Sequence, residues 1–229
     1  MEKVTAIIVA GGSGKRMGTT IKKQYLKLKG KEILAYSIQA FERCHFIDEI
    51  IVVVAEEEIE YVRKQIVDKY ELNKVTRIVA GGKERQDSVY NGLMATEGES
   101  TYVMIHDGAR PFIKEETILK CLLMTKEKKA SIVAVPVKDT VKICDSQSRV
   151  VEKTPNRNCL WSVQTPQSFE YKLLMQAYDY AQKQNLQVTD DSMIVEAFGK
   201  EVYIVEGEDT NIKITTPIDI IIGESILAP

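Results

Sequence analysis

Ala10-Gly11-Gly12-Ser13-Gly14-Lys15-Arg16-Met17-Gly18 follows the apolar run Val4 to Val9 and sets glycines beside two cations. Glycine lets the backbone approach a ligand and leaves N–H groups free to meet phosphate oxygens. In outline this is a phosphate loop, with Ala10, Gly11, Gly12, Ser13, Gly14 and Lys15 as candidate nucleotide contacts. Two common loops of this kind do not fit. In a Walker A loop ending on Gly14 and Lys15, Val9 would stand where the first glycine belongs, and Arg16 where Ser or Thr belongs. A dinucleotide fingerprint meets Met17 at its last glycine, and its acidic residue at the end of a second strand comes too late. What remains is Arg16 at the end of the turn and Lys23 within Lys22-Lys23-Gln24-Tyr25-Leu26. Nucleotidyl transfer passes through a crowded, anionic arrangement at phosphorus, and fixed Arg and Lys charges stabilise it. Arg16 and Lys23 are therefore the candidate catalytic residues, against the plainer reading of a tight turn with solvated cations.

Further chemistry lies downstream. Gly81-Gly82-Lys83-Glu84-Arg85-Gln86-Asp87-Ser88 follows another apolar run and supplies Gly81, Gly82, Arg85 and Ser88 as nucleotide candidates. A helix cap would explain the same residues. His106-Asp107-Gly108-Ala109-Arg110 follows the run Tyr102 to Ile105. An aspartate just past a buried strand suits Mg²⁺ held between nucleotide phosphates, because magnesium favours one or two carboxylates plus phosphate oxygens and water. Asp107 is the candidate metal ligand. His106 is expected to hydrogen-bond within the fold, since an acceptor phosphate with a second pKa near 6 needs no strong base. Thr140 and Arg157 suit an acceptor phosphate, the guanidinium giving paired charged hydrogen bonds. Asp107, Arg110 and Lys213 complete the acceptor set, while Asp190 and Asp191 read as helix caps.

These residues need a scaffold. Short β-branched runs at Val4 to Val9, Ile50 to Val54, Val75 to Val79, Tyr102 to Ile105, Ile132 to Val137 and Val202 to Val205 are apolar on both faces, as a central parallel sheet requires. Helical faces lie between them: Leu34, Ile38 and Phe41; Ile59, Val62, Ile66 and Tyr70; Leu174, Tyr178 and Ala181. The alternation predicts an α/β fold, doubly wound around a mostly parallel, Rossmann-like sheet, with residues 1–229 as a single domain. From Lys138 to Ser162 the rhythm breaks into β-like segments without a helix. This stretch is read as a β-arm leaving the core, either a surface hairpin or an arm that packs on a second subunit.

Composition narrows the partners. Thirty-one Lys and Arg against 33 Asp and Glu give a net charge of −2, so no general basic field awaits nucleic acid. The four cysteines, Cys44, Cys121, Cys144 and Cys159, have neither the C-x-x-C spacing nor the nearby histidines of a zinc site. No apolar run nears the ~20 residues of a membrane helix, and the first residues suit a strand better than a secretion signal. A cytoplasmic protein without a membrane partner is expected.

Ala-Gly-Gly-x-Gly-x-Arg-Met followed by Lys-Gln-Tyr-Leu resembles the nucleotide-diphosphosugar transferases, the second motif their cytidylyltransferase branch. In order, the segments above are similar to those of the 2-C-methyl-D-erythritol 4-phosphate cytidylyltransferases over nearly the whole chain. The resemblance implies CTP bound by the glycine turn, Mg²⁺, and Arg16 and Lys23 as transition-state stabilisers. It also implies that Gly81, Gly82 and Ser88 read the cytosine edge. A homodimer follows as well, in which the arm completes the neighbouring acceptor site through Thr140 and Arg157. Gly11 stands where many of these enzymes have alanine, whereas ribitol 5-phosphate cytidylyltransferases commonly show Ala-Gly-Gly. On the residues alone that second polyol phosphate stays open, as does a non-catalytic nucleotide-binding module of the same fold.

Overall fold

The computed structural model describes residues 2–12 and 22–228. Strand segments apolar on both faces cannot face water on either side, and helices cover both. β1 (Val4–Val9) is followed by the short hairpin β2 (Lys27–Leu28) and β3 (Lys31–Glu32), then α1 (Ile33–Glu42), β4 (Glu49–Val54) and α2 (Ile59–Val62), which continues as a π-helical stretch Arg63–Asp68. Next come β5 (Val75–Ala80), α3 (Arg85–Met94), β6 (Tyr102–Asp107), α4 (Glu115–Lys128) and β7 (Ala130–Pro136). A small hairpin, β8 (Ile143–Cys144) and β9 (Val151–Lys153), precedes β10 (Trp161–Glu170), α5 (Tyr171–Lys183), α6 (Asp191–Ala197), β11 (Tyr203–Glu206) and α7 (Pro217–Ile226).

The main sheet has the order β11-β7-β10-β6-β1-β4-β5. All its strands run one way except β10, which is antiparallel to both neighbours. Strand periodicity divides the core. Ala6, Ile8, Ile50, Val52 and Val54 pack with Leu34, Ile38 and Phe41 of α1 and Ile118 of α4. Ile7, Val53, Val103 and Ile105 turn the other way, onto Val89 and Leu93 of α3 and onto α5 and α6. Each fully buried Ile or Val side chain contributes roughly 1.5–3 kcal/mol relative to exposure.

Chain order around β1 matters most for function. From β1 the chain moves outward through β4 to β5, then crosses back to place β6 on the other side of β1. Such a reversal opens a crevice at the carboxyl ends of the strands, where open α/β sheets bind ligands.

The parallel strands appear where the apolar runs place them, but β10 has no counterpart among those runs. Its middle, Gln164-Thr165-Pro166-Gln167, is polar and includes a proline, which cannot donate to a ladder. The sheet accepts it because the register with β7 shifts between Val163 and Gln167, so Pro166 falls in the irregularity. Residues 138–154, containing the β8–β9 hairpin, are exposed throughout. Among the described residues no helix is long and apolar enough to cross a membrane.

Candidate active site

A cleft of about 240 Å³ opens at the crevice between β1 and β6. Val9, Ala10, Gly11 and Gly12 form one wall, Gly82, Lys83, Glu84, Arg85 and Ser88 a second, and Asp107, Ala109 and Lys213 a third, with Lys23 and Gln24 alongside. Ala10, Gly11, Gly12, Lys23, Gly82, Arg85, Ser88, Asp107 and Lys213, widely separated in sequence, thus share one cleft. Ser13, Gly14, Lys15 and Arg16 lie outside the described residues.

The first glycine turn is held from beneath. Ala10 N–H donates to Val53 O at 2.7 Å, continuing the parallel ladder one residue beyond β1. The buried Gln24 donates its Nε2 to Ala10 O at 2.7 Å and to Gly12 O at 3.4 Å. The neighbours of Lys23 are anchored too. Lys22 pairs with Glu58 at 2.8 Å, and the Tyr25 hydroxyl donates to Glu58 at 2.9 Å.

The second turn forms because Gly81 N–H bonds Val54 O at 2.7 Å and α3 begins immediately afterwards with a capping box between Glu84 and Asp87. The Ser88 hydroxyl accepts from Gly82 N–H at 3.1 Å and donates to Glu84 O at 3.1 Å. Its hydrogen is committed to the turn, leaving a lone pair for a donor. A Cβ on Gly81 would come within 2.8 Å of this oxygen, and one on Gly82 within 2.2 Å of Asp87 Cβ.

At the end of β6, cations surround Asp107. Lys213 Nζ lies 2.6 Å from Oδ2, Arg110 Nε 3.7 Å from Oδ2 and Arg85 Nε 3.5 Å from Oδ1. Burial alone would raise this carboxyl's pKa; Lys213, then Arg85 and Arg110, overcome it and hold the group ionised, well below the usual carboxylate range. Arg110 is fixed in turn by Asn211 O, to which Nη1 donates at 2.8 Å. With Asp191 also bound to Arg85 at 2.7 Å, the cluster has three cations against two carboxylates. Anions suit that surplus.

His106 takes its expected internal role. Arg110 O can only accept, so His106 Nε2–H donates to it at 3.0 Å and Nδ1 accepts from the Thr165 hydroxyl at 2.9 Å, while Thr165 Oγ1 accepts from Asp107 N–H at 3.1 Å. Burial lowers the imidazole pKa to about 4. The ring is neutral, with both nitrogens engaged in shaping the loop that carries Asp107 and Arg110.

Thr140 and Arg157 stand apart. Both are exposed, neither lines the cleft, and Arg157 Nη1 donates to Lys138 O at 2.9 Å. Gln24, Thr165 and Asp191 touch the site although residue type and spacing did not single them out as site residues. For Asp191 a signal existed: Asp190 already caps α6 by accepting from Met193 N–H at 3.0 Å, so the adjacent acid is surplus to capping.

Among the described residues no group of three or more His, Cys, Asp or Glu could hold a metal by itself. A single carboxylate already facing three cations is no cage of its own, so a metal here would have to come in on nucleotide phosphates, the usual mode for magnesium, with Asp107 as its one carboxylate contact.

Glycine turns after β1 and β5 on one side of a topological switch point and the Asp107 loop on the other, with lysines and arginines converging between them, define an α/β protein built to receive a phosphorylated nucleotide. The sequence profile of the 2-C-methyl-D-erythritol 4-phosphate cytidylyltransferase family matches residues 4–229. An Alkaliphilus oremlandii protein of that name is 49% identical over 227 residues, covering 99% of this chain and 96% of its own. A Clostridium botulinum counterpart is 51% identical over 224 residues, covering 98% and 99% respectively. The crystal structure of 4-diphosphocytidyl-2C-methyl-D-erythritol synthase from Anaerococcus prevotii superposes with a TM-score of 0.88 at 38% identity, covering 99% of this chain and 96% of that one. The chain belongs to the 2-C-methyl-D-erythritol 4-phosphate cytidylyltransferase family.

Proposed function

We infer that this enzyme transfers CMP from CTP to 2-C-methyl-D-erythritol 4-phosphate, giving 4-diphosphocytidyl-2-C-methyl-D-erythritol and pyrophosphate, a step of the non-mevalonate route to isoprenoid precursors. The observation that carries the reading is the cationic cleft at the β1–β6 switch point in a chain matched to this family from residue 4 to residue 229.

In the reaction, an oxygen of the acceptor phosphate attacks the α-phosphorus of CTP in line. A new P–O bond forms, and the bond to the β-phosphate breaks with its electron pair leaving on pyrophosphate. Lys23 and Arg16 carry the charge that develops at phosphorus. Ala10 to Lys15, Gly81, Gly82, Arg85 and Ser88 hold the nucleotide. Asp107, Arg110 and Lys213 orient the acceptor. Asp107 is also the carboxylate that would meet Mg²⁺, which when bound neutralises phosphate charge and polarises the α-phosphoryl group.

The acceptor site is completed in a homodimer, where Thr140 and Arg157 of one arm serve the neighbouring cleft. Support comes from the exposure of both residues outside their own cleft, and from the exposed apolar side chains Val141, Ile143, Val150 and Val151 on the same arm. A cytoplasmic location and the absence of a nucleic-acid partner belong to the same reading, with a net charge of −2 in its favour.

The test supplies the purified protein with CTP, Mg²⁺ and either 2-C-methyl-D-erythritol 4-phosphate or ribitol 5-phosphate, and measures pyrophosphate release. Release with the first acceptor is expected; release only with the second would overturn the assignment.

A further inference from the structure

Behind the cleft lies a second carboxylate. Asp191, the first residue of α6, is 1% exposed, and its polar groups are engaged on every side. Oδ2 receives Arg85 Nη1 at 2.7 Å, Oδ1 accepts from the Tyr178 hydroxyl at 2.9 Å, and its N–H donates to Gln167 Oε1 at 3.0 Å. Arg85 reaches forward from this anchor to Asp107 Oδ1 at 3.5 Å. The guanidinium is therefore strung between a short contact to a buried carboxylate and a long one to the carboxylate at the cleft.

Two arguments give this geometry a purpose. A carboxylate is buried only where pairing and hydrogen bonds offset its lost hydration, and helix capping does not account for these partners because Asp190 already provides the cap. Competition between the two carboxylates also decides where Arg85 rests. Without the charge of Asp191 nothing would oppose closure of the 3.5 Å contact from Arg85 to Asp107, and the fork would then be lost to an incoming phosphate. Tyr178 and Gln167 prevent this by fixing Asp191 on the far side.

We propose that Asp191 is a positioning residue of the transfer reaction, acting through Arg85 to hold its guanidinium toward the nucleotide phosphates and away from Asp107. The proposal rests on the reading of the cleft as a CTP site and assigns a role there to a residue that does not line it.

A double-mutant cycle tests it. Asp191→Asn keeps the shape, removes the charge and leaves one acceptor oxygen for Arg85, its new N–H donor facing the Tyr178 hydroxyl, which can accept, and Arg85→Gln removes the residue it acts on. Asp191→Asn should raise KM for CTP about tenfold, the size of one charge-assisted hydrogen bond, and leave KM for the acceptor within about twofold. In the Arg85→Gln background the same change should add nothing. Tyr178→Phe, which loosens Asp191 without changing charge, should shift KM for CTP in the same direction by a smaller factor, and it keeps the test open if Asp191→Asn fails to fold. Calorimetric titration with CTP and Mg²⁺ gives the same comparison without turnover, so failure of the acceptor chemistry would still leave the Asp191 result readable. Undiminished effects of Asp191→Asn in the Arg85→Gln protein, equal effects on both substrates, or unchanged CTP affinity would each overturn the proposal.

Discussion

Gln24 donates one side-chain nitrogen to the carbonyls of both Ala10 and Gly12, at 2.7 and 3.4 Å. Carbonyls engaged from beneath cannot turn their oxygens toward phosphate, so with Ala10 N–H bound to Val53 O it is the N–H groups of Gly11 and Gly12 that are left for the ligand. Gln24→Met, close in size but without the amide, frees the turn that aims its N–H groups at phosphate and should raise KM for CTP about tenfold, as loss of one N–H bond to a charged phosphate does, and alter KM for the acceptor far less. Steady-state kinetics varying each substrate checks this. A fall in Tm with unchanged kinetics would make Gln24 a packing residue only.

Lys23, next to Gln24 and lining the same cleft, is expected to act on turnover more than on binding. Lys23→Ala should lower kcat by a factor on the order of 10² or more, the usual loss when a transition-state electrostatic contact is removed. Arg16→Ala should do the same, and near-normal kcat in both variants would exclude them as charge stabilisers.

The two glycine turns and the strand-end aspartate were legible because their chemistry is local: each follows an apolar run, and strand ends at a sheet edge are where ligands gather. β10 was not, since its support comes from β6 and β7, partners distant in sequence, and its proline looks disqualifying until the register shift is seen. Asp191 was hidden for a related reason. Spacing shows two acids before a helix, but only the fold brings Arg85, 106 residues away in sequence, to the second of them. Thr140 and Arg157 show the opposite limit, because motif resemblance selects them while their own chain leaves them in solvent.

Far from the cleft, Glu49 offers a test by pH. It is 4% exposed and receives Lys3 at 2.9 Å, the Thr5 hydroxyl at 3.3 Å and the Thr76 hydroxyl. Burial opposes its ionisation, but Thr76 and Lys3 prevail and lower its pKa. A depressed folded pKa gives stability that is complete above the unfolded value of ~4.3 and is lost as pH falls through the folded one. Glu49→Gln should cost about 1–3 kcal/mol at pH 7, roughly 2–4 °C of Tm for each kcal/mol. The Tm gap to wild type should shrink below pH ~4; a gap constant from pH 7 to 3 would show that the charge contributes nothing.

Gly11 and Gly82 face the same cleft and should respond oppositely to an added methyl. A Cβ on Gly11 would sit 3.8 Å from Val54 C and 3.9 Å from Ser88 Oγ, ordinary contact distances, so the turn has room for an alanine. Gly11→Ala should therefore leave the ratio of kcat/KM for methylerythritol and ribitol phosphates within about twofold, well under 1 kcal/mol. At Gly82 the Cβ would lie 2.2 Å from Asp87 Cβ and 3.1 Å from Asp87 C, so the turn or the start of α3 must move. That movement breaks the bond from Gly82 N–H to Ser88 and disturbs the Glu84–Asp87 capping box. Gly82→Ala should therefore weaken CTP binding by an order of magnitude or more, about the cost of 1–3 kcal/mol of overpacking, while Gly11→Ala binds as wild type does. Calorimetric titration of CTP into both variants decides it: equal losses at the two positions would mean that the turns respond as one flexible loop, and that the rigid seat argued for the base and phosphates is wrong.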